Sequence, residues 1–387
     1  MVEPVPVTAG ATEWLLSSDS HVMEPPDLWS SAPAAIANRA PRVERGDDAD
    51  WWVIDGARLF SFSVATKAGL RFEGQDRLTV DYRFSDVRPG AYLPDAHLAD
   101  NEADGVWGSV LYPSVGTMLY GLDDGDAVSR LARIYNDWLT EWCAHAPGRL
   151  RAVALLDVDD VGVAVQELER ARARGAAGAL IPVSPPAACP YGDPAYDPLW
   201  AAAAALGVPL SLHIATNRPP GEWRILWSQW GFQGADRFVR DSLAQMLFGG
   251  VFDRHPDLRV VSVEHEVSWV PHFLDRLDET YTQRTPRGDW YRFADGALPS
   301  DHFRRNVMLS FIEDRLAVPM RDRRRESHVG LRLSAHRVDV SAVDEDRRRV
   351  VRRRPRCRSA RDDGPDRSVL VRLRCAARWA HGLNYGT

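Results

Sequence analysis

The stretch Ser17-Ser18-Asp19-Ser20-His21-Val22-Met23-Glu24-Pro25-Pro26-Asp27-Leu28-Trp29 decides how the chain is read. The apolar run Trp14-Leu15-Leu16 leads into it, so Asp19 and His21 stand at the carboxyl end of a predicted first strand. Residues i and i+2 of a strand face the same side, which lets a carboxylate and an imidazole converge on one cation. Taken alone, Asp-x-His is more readily a solvated turn. What tips the reading is that other strand-like runs downstream also end in His.

Outward from that stretch the chain alternates. Val106–Pro113, Leu150–Val158, Ala179–Val183, Val208–His213, Leu258–His265 and Asn306–Ile312 read as strands. Between or after them Asp126–Ala146, Val161–Arg174, Asp197–Leu206, Asp241–Phe252, Ser268–Thr282 and a short piece near Leu316–Arg321 read as helices. With the first strand this makes seven, in the order of a parallel sheet, and a (β/α)8 TIM barrel requires one more. An open doubly wound sheet is the alternative, but no Gly-x-Gly-x-x-Gly turn supports it. Residues 30–100 carry no sustained helical period and suit an inserted loop or small β element with a hairpin around Asp55-Gly56.

Composition narrows the class. The 387 residues are 45% hydrophobic without an apolar run long enough for a bilayer, and the N-terminus shows no basic-then-apolar signal. Four Cys without metal-like spacing suit a reducing compartment, so a cytoplasmic protein with no membrane partner is expected. Charge is uneven: residues 1–322 carry 30 Lys+Arg against 46 Asp+Glu, a net of −16, whereas 323–387 carry 18 against 8. So acidic a body argues against nucleic acid as partner.

Asp19, His21, His213 and His265 therefore fall at three strand ends, where a barrel keeps its chemistry. Imidazole nitrogen and carboxylate oxygen suit Zn²⁺ or another first-row divalent ion. Glu24 is placed to hydrogen-bond a ligand, its bland alternative being the cap of a turn. His97, His145, His255, His272 and His302 have no strand-end placement and read as surface or packing residues. Trp223, Trp227 and Trp230 could cover the barrel mouth or form an interface.

From about Trp14 to Arg321 the chain resembles the amidohydrolase superfamily, in particular the amidohydrolase-related group of aminocarboxymuconate-semialdehyde and resorcylate-type decarboxylases. The resemblance rests on Asp-Ser-His-Val-Met-Glu-Pro-Pro-Asp-Leu-Trp (19–29), Pro-Leu-Ser-Leu-His (209–213), Phe-Asp-Arg-His-Pro-Asp-Leu-Arg-Val-Val (252–261), Trp-Val-Pro-His-Phe-Leu-Asp-Arg-Leu-Asp-Glu (269–279) and Asn-Val-Met-Leu-Ser-Phe-Ile-Glu-Asp (306–314). It implies a metal-dependent hydrolase or decarboxylase of secondary metabolism acting on a small aromatic or unsaturated acid. Asp19, His21, His213 and His265 are its implied metal ligands, with His265 and Glu24 as catalytic residues. Zn²⁺ is the expected ion, with Mn²⁺ the alternative, and the resemblance allows a homodimer. Glu264 ranks behind His265 for the place on the sixth strand.

The family pattern ends in a strand bearing Trp-Gly-Ser-Asp-Tyr-Pro-His, whose Asp completes the metal shell, and this sequence lacks it. His328 to His336 can be encoded CAT GTG GGG CTC CGA CTA TCC GCA CAC, which read one base later gives Met-Trp-Gly-Ser-Asp-Tyr-Pro-His, with the Asp codon across Arg332 and Leu333. The expectation is thus a barrel domain over 1–322, its last strand and helix missing or disordered. The basic tail 323–387 would be out of frame and not a folded domain. The alternative function is a catalytically inactive, frameshifted member without the final Asp.

Overall fold

The computed structural model describes residues 15–62, 82–218, 231, 233–284, 291–312, 314, 316 and 333–335. β1 (Leu15–Val22) lies parallel to β5 (Val106–Pro113). β6 (Leu150–Leu155), β7 (Gly178–Ile181), β8 (Leu210–His213), β9 (Val260–Val263) and β10 (Val307–Phe311) follow in sheet order, each parallel to its neighbour. β7 and β8 are buried at every position, as strands covered on both faces must be. This is the (β/α)8 arrangement expected from the alternation.

One short strand is added to the seven. Leu333–Ala335 form a short strand, β11, parallel to β10 with Leu309 opposite Leu333, Ser310 opposite Ser334 and Phe311 opposite Ala335. The eighth position of the sheet is therefore filled. An open edge on β10 leaves a row of N–H and C=O groups that any extended backbone can pair, whatever its side chains. The expected helix near Leu316–Arg321 and the one after the eighth strand lie outside the described residues.

The helices explain themselves from their ends. After α1 (Pro94–Ala103), α2 (Gly125–Ala144) starts where the Asp124 carboxylate accepts from the Ala127 N–H, and α3 (Val161–Ala173) where Asp160 accepts from Val163. α4 (Asp197–Leu206) has Pro198 in its first turn and stops at Gly207, whose φ of 63° suits the left-handed cap. α5 (Asp236–Phe248), α6 (Val251–Arg254), α7 (Val270–Gln283) and α8 (Pro299–Asn306) complete the outer layer. α1 and α8 were not foreseen, because both are short and polar. Asn306 at the end of α8 ties it beneath β9 by donating to the Pro256 and Leu258 carbonyls.

Before β5 the chain builds a separate antiparallel sheet from β2 (Arg42–Arg45), β3 (Asp50–Ile54) and β4 (Ala57–Ser61). Its hairpin turns at Asp55 and Gly56, both with positive φ, as two-residue hairpin turns require. Trp52 is fully buried here, packed against Trp29 and Phe62. No helix among the described residues is long and apolar enough to cross a membrane.

Candidate metal centre

β1 does not deliver its side chains as a regular strand would. Its register on β5 slips between Ser17 and Ser20, where three steps on β1 match two on β5 (Ser109 to Leu111). The extra residue is a bulge of the kind that re-aims side chains beside functional sites. Ser17 and Ser20 tie it with a 2.7 Å hydroxyl contact. Asp19 leaves the bulge fully buried, and His21 follows it half-buried.

β8 brings His213 to the same place from the other side of the barrel. Asp19 Oδ1 is 3.5 Å from His21 Nε2 and 3.5 Å from His213 Nε2, and the two rings stand edge to face with centroids 5.0 Å apart. Each imidazole is held from behind. His21 Nδ1 is 2.9 Å from the Pro113 carbonyl and His213 Nδ1 is 2.7 Å from that of Ile214. A carbonyl can only accept, so each Nδ1 carries the proton and each Nε2 lone pair faces Asp19 when the rings are neutral.

His213 Nε2 is buried with no hydrogen-bond partner, which is the kind of buried polar atom that needs a further ligand. The separations point the same way. A direct ion pair would close to about 2.8 Å, whereas ligand atoms around a tetrahedral ion with bonds of about 2.1 Å lie about 3.4 Å apart. Donor atoms of Asp19, His21 and His213 all lie within 4.8 Å of one another, and this set fits a divalent cation.

Electrostatics agree. Burial alone would depress His213, but the Asp19 and Glu264 carboxylates more than reverse this and hold it at about 9. Two carboxylates are thus demanding a positive charge at that point, which a proton or a metal ion can satisfy. His21 is lowered by burial and by the neighbouring His213.

The other residues singled out from the sequence are placed differently. His265 lies two residues beyond β9, buried, with Nδ1 3.3 Å from Ser262 Oγ, and is pushed down to about 3 by burial and by His213. It stands outside the three-residue set around Asp19, though Asp19 and His213 both act on it electrostatically, and the chain turns sharply after Val263, with Glu264 and Glu266 both at positive φ. The reading of Glu24 is corrected. Its two oxygens accept from the Val115 and Gly116 N–H groups at 3.0 and 2.8 Å, so it caps the turn after β5 and touches no candidate ligand. A Cβ at Gly116 would sit 2.9 Å from Leu155 Cδ1 and from Pro113 Cβ, which is why that capped turn needs glycine. Trp223, Trp227 and Trp230 lie outside the described residues.

Two neighbours, Tyr112 and Ser310, were not foreseen, and a third, Glu264, was ranked only second. Tyr112 on β5 stacks 5.1 Å from His213 and shares a 2.9 Å hydroxyl contact with Ser211. Ser310 on β10 donates to Asp19 Oδ2 at 3.3 Å and accepts from the Glu264 N–H. Glu264 Oε2 comes within 3.6 Å of His213 Nε2 and 3.9 Å of His21 Nε2. Alternation on the strands would have found Tyr112 and Ser310; the positive φ that aims Glu264 has no sequence signal in a non-glycine residue.

Comparison with known proteins places the chain in a family. The amidohydrolase family model matches residues 72–302. A gamma-resorcylate decarboxylase of Rhodococcus jostii is 33% identical over 167 residues, 38% of this chain and 48% of that protein. The chain thus spans about half the length of the curated relatives it matches. In fold it resembles the crystal structure of an amidohydrolase from Mycobacterium avium subsp. paratuberculosis, with TM-score 0.63, 24% identity and coverage of 80% of this chain and 86% of that one. It also resembles a dihydroxybenzoic acid decarboxylase from Polaromonas sp. with bound manganese and the inhibitor 2-nitroresorcinol, with TM-score 0.56, 19% identity and coverage of 86% and 90%.

Proposed function

The chain belongs to the amidohydrolase family, and on that premise we propose that it is a metal-dependent carboxy-lyase removing CO2 from a small hydroxylated aromatic acid. The observation that carries this reading is the pair of imidazoles whose Nδ1 atoms are committed to carbonyls, so that both Nε2 lone pairs face the buried Asp19 carboxylate. The names of the curated relatives support a carboxy-lyase over a hydrolase.

Asp19, His21 and His213 would hold Zn²⁺ or Mn²⁺, and the manganese of the Polaromonas neighbour supports the second choice. A bound ion would supply Lewis acidity toward the substrate's oxygens. Tyr112 packs against His213 and fixes its ring plane. His265 is the side chain that, once protonated, would pass that proton to the ring carbon, and burial beside His213, which disfavours its charged form, favours the transfer. The electron pair of the breaking carbon–carbon bond stays on that carbon, takes up the proton, and CO2 leaves.

The test is CO2 release from 2,6-dihydroxybenzoate and other hydroxybenzoates by protein loaded with either ion. Silence on all of them, with hydrolysis of amides or lactones, would move the chain to the hydrolases. The proposal that the tail is out of frame is tested separately, by sequencing the coding DNA across codons 318–340.

A further inference from the structure

Asp19, His21 and His213 leave one side of the centre to be closed, the side toward β9, β10 and β11. Among the described residues, the strand at the eighth position is Leu-Ser-Ala at 333–335, which contains no ionisable residue. Asp314, just past β10, is engaged elsewhere, since its Oδ2 accepts from the Val267 and Ser268 N–H groups at 2.9 and 2.6 Å. What does reach the centre is Glu264.

Its position is built. Glu264 has φ 63°, a left-handed conformation that a side chain with a Cβ rarely takes and that persists only where the surroundings enforce it. The enforcing contacts run back to the centre: the Glu264 N–H donates to Ser310 Oγ at 3.2 Å, and Ser310 Oγ donates to Asp19 Oδ2 at 3.3 Å. One hydroxyl thus holds the Asp19 carboxylate and the Glu264 backbone together. With the backbone so turned, Glu264 Oε2 stands 3.6 Å from His213 Nε2 and 3.9 Å from His21 Nε2.

Those two separations and the two 3.5 Å separations to Asp19 close a ring in which each imidazole Nε2 stands between two carboxylates, at distances that donors sharing one ion adopt. A carboxylate present only to pair with an imidazole would approach to about 2.8 Å. With two neutral imidazoles and two carboxylates the site also balances a divalent charge.

We infer that Glu264 is the fourth metal-binding side chain, closing in this chain the side of the centre that the eighth strand leaves without a ligand. The inference rests on the proposed metal centre and deepens it. The consequence is that the sequence as written holds its ion without any carboxylate from residues 333–335.

The test measures metal affinity, by competition with a chelator and elemental analysis for Zn²⁺ and Mn²⁺, together with the melting temperature of the metal-free protein. Glu264→Gln keeps the shape and removes the charge; Glu264→Gly removes the ligand and relaxes the left-handed backbone. Both should bind about tenfold or more weakly. Metal-free Glu264→Gly should melt no lower than the parent, which a merely structural role for Glu264 would not give. His213→Ala is the control. Parent-like affinity in Glu264→Gln, alongside loss in His213→Ala, would overturn the inference and spare the centre. Failure of the parent chain to bind either ion would overturn both.

Discussion

β1 and β11 occupy the opening and closing positions of the same sheet and meet its demands in different ways. β1 runs eight residues, carries a bulge, and places Asp19 and His21 beside His213. β11 runs three residues and pairs only with β10 among the described strands. A sheet position is a backbone requirement that many sequences satisfy, whereas a ligand position is met only by particular atoms aimed in a particular direction. The fold tolerates a poor closing strand, and the chemistry is expected not to tolerate a poor opening one.

The largest expected effect is therefore at the end of β1 and its partner on β8. His21→Ala or His213→Ala should each lower metal affinity by more than about 100-fold, since ligands act together and outrank the groups behind them. Elemental analysis after dialysis reads this directly. Undiminished metal in both variants would place the ion elsewhere and dissolve the contrast between the strands.

Just beyond β1, Glu24 turns the comparison from chemistry to stability. Removing its carboxylate in Glu24→Ala leaves two buried N–H groups, those of Val115 and Gly116, without acceptors, at a cost of about 3 kcal/mol. pH dependence has a definite sign. Burial raises Glu24 from 4.5 to about 7 despite its backbone hydrogen bonds, so the folded state binds the proton more tightly than the unfolded one. Its contribution is full below about 4.5 and is lost as pH rises through about 7. The melting-temperature gap between the parent and Glu24→Ala should narrow over that interval, and a gap that widens would assign the shift to another group.

The alternation of strand and helix was legible because parallel strands buried on both faces leave near-continuous apolar runs, and β5 and α4 fall where periodicity and turn residues place them. Asp19, His21 and His213 were legible as residues at strand ends. Their convergence depends on a bulge between Ser17 and Ser20 that a two-residue period does not announce. Glu24 was misjudged because proximity in sequence to a ligand says nothing of where a side chain is used: its carboxylate turns to the Val115 and Gly116 N–H groups. β11 was missed because three residues of Leu-Ser-Ala carry no strand signal; only the open edge of β10 recruits them.

That last point gives a smaller prediction. Consecutive N–H groups on a strand point to opposite sides, so of Ser334→Pro and Ala335→Pro one removes a donor from the ladder with β10. That variant should lose about 2 kcal/mol and its neighbour less, with metal affinity unchanged in both. A drop in affinity to match the histidine variants would mean that β11 serves the centre after all.

The smallest expected effect sharpens the boundary of the closing region. Residues 341–387 are a unit of sequence dense in Arg, without an apolar period that could bury a face. Two nested truncations separate that unit from β11. Ending the chain after Val340 keeps β11 and should shift the melting temperature by no more than about 2 °C, the equivalent of about 1.5 kcal/mol for a protein of this size. Ending it after Asp322 removes β11 as well, exposes the edge of β10, and should lower melting further while leaving Asp19, His21, His213 and Glu264 to bind metal. If both truncations behave alike, β11 adds nothing to closure. If the longer one already fails to fold, the Arg-rich segment is part of the barrel's support, and the division of labour between opening and closing strands extends past residue 340.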